Sequence, residues 1–418
     1  MEISGRVKEI AARVMGDVAG RFDVVDDIAQ KNTDKVLRAF QRHRVSDACF
    51  GATTGYGYND KGRETLDLVF ADIMGTESAL VRACFVSGTH AITAALFAAL
   101  RPGQTLLSVT GTPYDTIHGV IGISGNYAGS LKEYGISYLQ VELDRQGAPD
   151  QAAISKALRE KNIGAVLVQR SRGYSSRRAL TVKEIGRIVE MVRAEKPDVI
   201  VFVDNCYGEF TETTEPGDVG ADLTAGSLIK NPGGGIAPTG GYIAGRKDLV
   251  EAAAYRLTAP GIGGHCGATL GVNRLLYQGL FMAPHTVAQA MKTAVFCARL
   301  FEILGYQTSP GFLEERSDII QSIELGSPEL LELFCRGIQE GAPVDSFVSP
   351  VAGEMPGYDC PVIMAAGGFV QGASIELSAD APMREPYSVY LQGGLTFESA
   401  KTGIMLAASY CEKGIDKR

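Results

Sequence analysis

No run in this sequence approaches the roughly 18 continuous apolar residues that a membrane-spanning helix needs. The amino terminus also lacks a charged start followed by an apolar stretch and a cleavage site. The chain therefore reads as cytoplasmic. Cysteine occurs eight times, as Cys49, Cys84, Cys206, Cys266, Cys297, Cys335, Cys360 and Cys411, but not in the close pairs that zinc or iron-sulfur sites use. Those thiols read as reduced. An excess of basic charge is missing too: 40 lysines and arginines face 48 aspartates and glutamates, a net of −8. That balance argues against a nucleic-acid or anionic-membrane surface and for a small ligand. Internal repeats and low-complexity tracts are absent. What remains is an ordinary globular composition, 45% hydrophobic with 50 glycines. Its length suits two or three domains, or a large domain with a smaller one against it.

Val7, Ile10, Ala11, Val14, Val18 and Phe22 recur at three- and four-residue spacings, which predicts an amphipathic helix over residues 6–22, packed on this chain or on another subunit. The glycine-rich stretch 51–60 reads as a loop, and a helical pattern resumes over 63–74. From residue 80 to about 250, short apolar runs alternate with helical patterns. Strands are expected at 79–84, 105–109, 137–141, 165–169 and 199–204, with a further pair near 222–225 and 241–244. Helices are expected at 90–100, 150–161, 181–195 and 247–256. This rhythm predicts an α/β layer structure with a mostly parallel sheet, whose strand ends are where ligands bind. After about 285 the pattern changes to a long helix at 286–304, helices at 328–340 and 398–412, and apolar segments at 319–325, 362–365 and 373–377. That change predicts a smaller α+β domain. The division is a helical arm at 1–50, a large domain at 51–285 and a small domain at 286–418.

Three features carry chemistry. An apolar strand runs into Ser87-Gly88-Thr89-His90 just ahead of a helix, so glycine, hydroxyls and a helix amino terminus form a phosphate cradle or, more simply, an N-cap. The run Val199-Ile-Val-Phe-Val-Asp204 brings one carboxylate to the end of an apolar strand, where a protonated heterocyclic nitrogen or a metal would offset its burial. Glu209 and Glu212 make magnesium the rival there. Lys230, 26 residues beyond Asp204, sits before Asn231-Pro232-Gly233-Gly234-Gly235 on an open turn, where its amine could meet an aldehyde or remain a solvated charge. Together these are the requirements of pyridoxal phosphate. Other chemistries lack their signatures: the Gly55-x-Gly57 pair is not a GxGxxG site, and no GxxxxGK[ST], HExxH or GxSxG sequence is present.

Across residues 30–415 the sequence resembles the fold-type-I pyridoxal-phosphate superfamily. More narrowly it resembles the methionine gamma-lyase family or aluminium-resistance group, akin to cystathionine beta-lyases. The resemblance is carried by Gly55-Tyr-Gly-Tyr-Asn-Asp60 with Gly62-Arg63, Ser87-Gly-Thr-His90, Gln169-Arg-Ser-Arg-Gly-Tyr174, Val203-Asp-Asn-Cys-Tyr-Gly-Glu209, Ser227-Leu-Ile-Lys-Asn-Pro-Gly-Gly234 and Tyr390-Leu-Gln-Gly-Gly394. It implies an aspartate-aminotransferase-like large domain with a mostly parallel seven-stranded sheet, and a carbon-sulfur lyase that uses pyridoxal phosphate and no metal. Lys230 would be the Schiff-base lysine and Asp204 the partner of the ring nitrogen. Gly88, Thr89 and Ser227 would hold the phosphate, and Tyr114 would stack on the ring and assist proton transfer. Tyr58 would reach the neighbouring subunit's phosphate site in a homodimer, paired into a homotetramer. The resemblance departs here: cystathionine-lyase relatives carry an arginine two residues after that tyrosine, where this chain has Asp60. For the substrate carboxylate the resemblance favours Arg384, with Arg170 and Arg172 as competitors. A substrate such as methionine or a cystathionine-like thioether is implied. An aminotransferase, a decarboxylase or a cofactor-bound stress protein would use nearly the same residues.

Overall fold

The computed structural model describes residues 2–125, 127–175, 177–355 and 360–415. Its large sheet holds seven strands: β1 (Ser78–Arg82), β2 (Thr105–Ser108), β3 (Ser137–Gln140), β4 (Ile163–Gln169), β5 (Ile200–Asp204), β6 (Leu223–Ser227) and β7 (Gly241–Gly245). They lie in the order β1-β7-β6-β5-β4-β2-β3, and β7 alone runs against its neighbours. Every residue of β4 is buried, as expected of a strand covered on both faces. The covering helices follow the chain: α1 (Gly5–Arg42), α2 (Lys61–Ile73), α3 (Gly88–Ala99), the single turn α4 (His118–Ile121), α5 (Gln151–Glu160), α6 (Val182–Glu195) and α7 (Lys247–Leu257). A capping box starts α6: Thr181 and Glu184 each satisfy the other's backbone amide. The expected large-domain strands and helices thus appear within a few residues of their predicted positions.

Helix α1 is more than twice as long as its predicted span. Val7, Ala11, Val14 and Val18 are buried as expected, and the stripe continues through Val25, Asn32, Val36 and Ala39. Gly16 and Gly20 face open space, so they cost helix propensity without interrupting packing. The partner of α1 is α8 (Asn273–Ile303) of the same chain. Helix α8 passes from one core, shared with α2 and β7 through Leu276–Met291, into a second core through Val295–Phe301. Residue 285 therefore lies inside a continuous helix.

The second core belongs to the smaller unit, whose sheet is antiparallel in the order β10-β11-β12-β9-β8. Its strands are β8 (Gln307–Ser309), β9 (Gln321–Glu324), β10 (Val362–Ala366), β11 (Ser378–Pro382) and β12 (Ser388–Gln392), backed by α9 (Pro328–Glu340) and α10 (Phe397–Ile415). The apolar segment at 373–377 lies just ahead of β11. Glu376 turns the chain there by accepting the amides of Phe369 (2.8 Å) and Val370 (2.9 Å), and the strand begins two residues later. Among the described residues no helix is long and apolar enough to cross a membrane.

Candidate active site

The carboxyl ends of the parallel strands converge. Gln169 ends β4 directly beside Asp204 at the end of β5, and Asp204 pairs in turn with Ala225 of β6, two residues before Ser227. Helix α3 starts opposite, with Ser87 as N-cap accepting from the His90 amide at 3.1 Å. Between this edge and the small sheet lies a cleft of about 740 Å³. Gly88, Thr89, Tyr114, Asp204, Ser227 and Lys230 all line it. Six of the ten residues singled out from sequence thus share one cavity.

Lys230 follows β6 on a turn secured by Asn231, whose buried amide donates to the carbonyls of Tyr207 and Glu209, each at 2.9 Å. Its ammonium lies 4.0 Å from the centre of the Tyr207 ring, within cation–π reach. Burial disfavours this charge, but the surrounding acidic groups Cys206, Tyr207 and Asp204 outweigh it and hold the amine above its ordinary value. Burial likewise pushes the Asp204 carboxyl upward, against the Lys230 ammonium and the Cys206 amide, which donates to it at 3.2 Å. A ring nitrogen that carries a proton is the kind of partner such an acid needs.

The cradle depends on its glycine. A Cβ on Gly88 would stand 3.1 Å from the Ser227 Cβ and 3.5 Å from the Cys206 sulfur, so only glycine leaves the space between α3 and β6 open. The first-turn amides of α3 and the Ser227 hydroxyl border that space, a donor set that suits a phosphate. Thr89 is braced by a 3.0 Å hydrogen bond between its hydroxyl and that of Thr116. Tyr114 donates its amide to Gln169 at 2.6 Å and meets the Tyr174 ring edge-on at 5.8 Å. Gly173, at φ +58°, lies against the Tyr114 ring: a Cβ there would come within 3.2 Å of it. The residues present therefore fit pyridoxal phosphate.

The remaining four lie outside the cleft lining. Arg170 is fully buried and committed to Asn205 (2.8 Å), Glu212 (2.9 Å) and Glu215 (3.4 Å). Arg172 bonds the Ser309 carbonyl at 2.6 Å. Arg384 is exposed on a separate groove beyond Tyr174 and Tyr390. None of the three is among the residues that line the cleft; Arg170 and Arg172 follow tertiary partners that their neighbours in sequence do not reveal. Tyr58 is 57% exposed and stacks on Tyr56 at 5.5 Å. Asp60 caps α2 and accepts from Thr269 at 2.7 Å. The carboxylates of the magnesium alternative part company: Glu209 accepts from Tyr242 at 2.8 Å, and Glu212 pairs with Arg170.

Several lining residues were not singled out as site residues. Gln169, Tyr174 and Tyr207 lie inside the motifs quoted above. Asp380, the one acid in the apolar segment of β11, receives hydrogen bonds from Tyr174 (2.8 Å) and Gln392 (2.9 Å). Arg177 is buried beneath the loop after β4 and donates to the Gln169 carbonyl at 2.9 Å; burial pushes it down to about 10.

Glu209 lies behind the cleft, fully buried, with one oxygen on Tyr242 and no hydrogen-bond partner at the other among the described residues. Burial, with repulsion from Glu215, pushes it up from the usual 4.5 to about 8. Between those two values the folded chain keeps a proton that the unfolded chain has released, so this group makes stability fall as pH rises across the window. Glu209→Gln, a neutral isostere, is expected to gain stability relative to wild type between pH ~5 and ~8. Denaturant midpoints measured at both ends check this; a constant difference would contradict it.

The fold and this cleft define a fold-type-I pyridoxal-phosphate enzyme. The chain belongs to the methionine gamma-lyase family, which it matches over residues 7–411. A carbon-sulfur lyase involved in aluminium resistance from Clostridium novyi NT is 56% identical, with a TM-score of 0.94 over 97% of this chain and 96% of that one. The uncharacterized protein YnbB of Bacillus subtilis (strain 168) is 48% identical over 402 residues, 96% of this chain and 95% of that protein. The L-methionine gamma-lyase of Pseudomonas putida is 28% identical over 240 residues, 56% of this chain and 53% of its own length.

Proposed function

We propose that this chain releases a thiol from a sulfur-containing amino acid by α,β- or α,γ-elimination. The observation that carries the reading is the convergence of Lys230, Asp204 and the start of α3 on one cleft, in a member of this family. Pyridoxal phosphate supplies an electron sink for the pair left when the substrate loses its Cα proton. Gly88 and Thr89 would hold its phosphate through backbone amides, with the Ser227 hydroxyl beside them. Asp204 would keep the proton on the ring nitrogen, and that cation would relieve the pull of Asp204 on Lys230. Lys230 would anchor the aldehyde and, once displaced, take the Cα proton. Tyr114 would flank the ring and pass a proton at the leaving sulfur.

Tyr58 would face a second subunit in a homodimer paired into a homotetramer, a reading supported by the exposed Tyr56–Tyr58 stack. Free cysteines throughout favour the cytoplasm. Purified enzyme given methionine and an S-alkyl-cysteine is expected to release free thiol with 2-oxobutyrate or pyruvate. Carbon dioxide, or amino-group transfer to the cofactor without thiol, would point to a decarboxylase or an aminotransferase instead.

A further inference from the structure

The roof of the cleft is one face of the small sheet. Along β10, Met364 and Ala366 line the cleft while Ile363 and Ala365 are buried in the small-domain core. Along β11, Ser378 and Asp380 line it while Ala379 and Ala381 enter the core, and on β12 Gln392 lines it beside core Leu391. This is the two-residue alternation of a strand with one face on a core. Among the residues of this sheet that line the cleft Asp380 is the one that carries a charge, half-buried; Glu324 of β9, on the same face, lies outside the cleft lining. Tyr174 and Gln392 both donate to its Oδ2. Burial pushes the carboxyl upward, while those bonds and the Lys230 ammonium favour its charged form; both bonds leave its Oδ1 to another partner.

The lining as a whole has the same bias. Among the described residues its acids are Asp204, Asp345, Glu376 and Asp380, and its cation is Lys230. Asp204 is assigned to the ring nitrogen, Glu376 binds two backbone amides, and Asp345 is exposed at the mouth. Asp380 is left as a carboxylate fixed over the substrate space, and a carboxylate in that position favours a cationic ligand group. Lys230, the cation that faces Asp380 in the cofactor-free cleft, is assigned to the aldehyde, and the substrate's α-amino group is consumed in joining the cofactor; a cation for Asp380 then comes from the side of the leaving sulfur.

We propose that Asp380 is a specificity residue that selects substrates whose leaving thiol carries an ammonium group. The inference rests on the lyase reading above. It is tested with the holoenzyme on S-aminoethyl-cysteine and S-propyl-cysteine, which have nearly the same shape and differ in charge. Wild type is expected to show kcat/KM at least about tenfold higher for the amine, mainly through KM, as one charge-assisted hydrogen bond allows. In Asp380→Asn, whose amide oxygen can accept from both Tyr174 and Gln392, the ratio is expected to fall to about one. Calorimetric binding of the two thioethers lacking the α-amino group should show the same preference in wild type, so the test stands even if the variant does not fold. Equal kcat/KM for the two substrates in wild type, or a ratio unchanged in Asp380→Asn, would overturn the inference alone. Thiol release from methionine but from neither cysteine thioether would also overturn the inference alone, and release from none of the three would overturn the lyase reading, and the inference with it.

Discussion

Replacing Lys230 with alanine is expected to abolish covalent retention of the cofactor and to lower thiol release by about a thousandfold or more. Lys230 is the one cation among the described lining residues of the cleft, so no neighbouring amine there can take its place. The loss would be chemical rather than architectural. The turn is held by the Asn231 amide and by backbone bonds from Lys230 to Ser227 and from Gly233 to Lys230, none of which uses the lysine side chain. The variant should therefore fold and still bind pyridoxal phosphate, but as a ligand that dialyses away. A small primary amine added to the assay should restore part of the proton transfer. Full activity in Lys230→Ala would place the chemistry elsewhere.

Asp204→Asn carries the second large effect, an expected loss of about a hundredfold or more in kcat. The substitution preserves size and the acceptor for the Cys206 amide, so β5 and its register with β4 should survive. It removes the negative charge that keeps a proton on the ring nitrogen, and with it the stabilisation of the electron pair left at Cα. The signature is a fall in kcat larger than any rise in KM, with the thermal midpoint held or raised. Burial already pushes the Asp204 carboxyl upward, so neutralising it removes a desolvation cost from the cofactor-free protein. A variant that loses stability while retaining kcat would show that Asp204 serves the fold and not the reaction.

The parts of this site that could be read in the sequence are those whose local pattern contains their cause. Asp204 stood out because one acid ended an apolar strand, and Gly88-Thr89 because they lay between a strand and a helix. Lys230 stood out through the proline and glycines after it. The arginines did not follow this logic. Arg170 finds its carboxylates 42 and 45 residues away, and Arg172 its carbonyl 137 residues away, distances that no spacing rule anticipates. Asp380 was hidden for the opposite reason: its strand starts just past the apolar segment 373–377, which Glu376 folds into a turn. In the same way Val36 and Ala39 extend the buried stripe of α1 far beyond residue 22, onto a core that forms only when α2 and α8 are in place.

The central claim is that the amine at 230 holds the cofactor's aldehyde. The most direct measurement is borohydride reduction of the wild-type holoenzyme, followed by digestion and mass spectrometry of the peptides. The account predicts a pyridoxyl-phosphate mass on the peptide containing Lys230. The same mass on a different lysine, or on none, would contradict it.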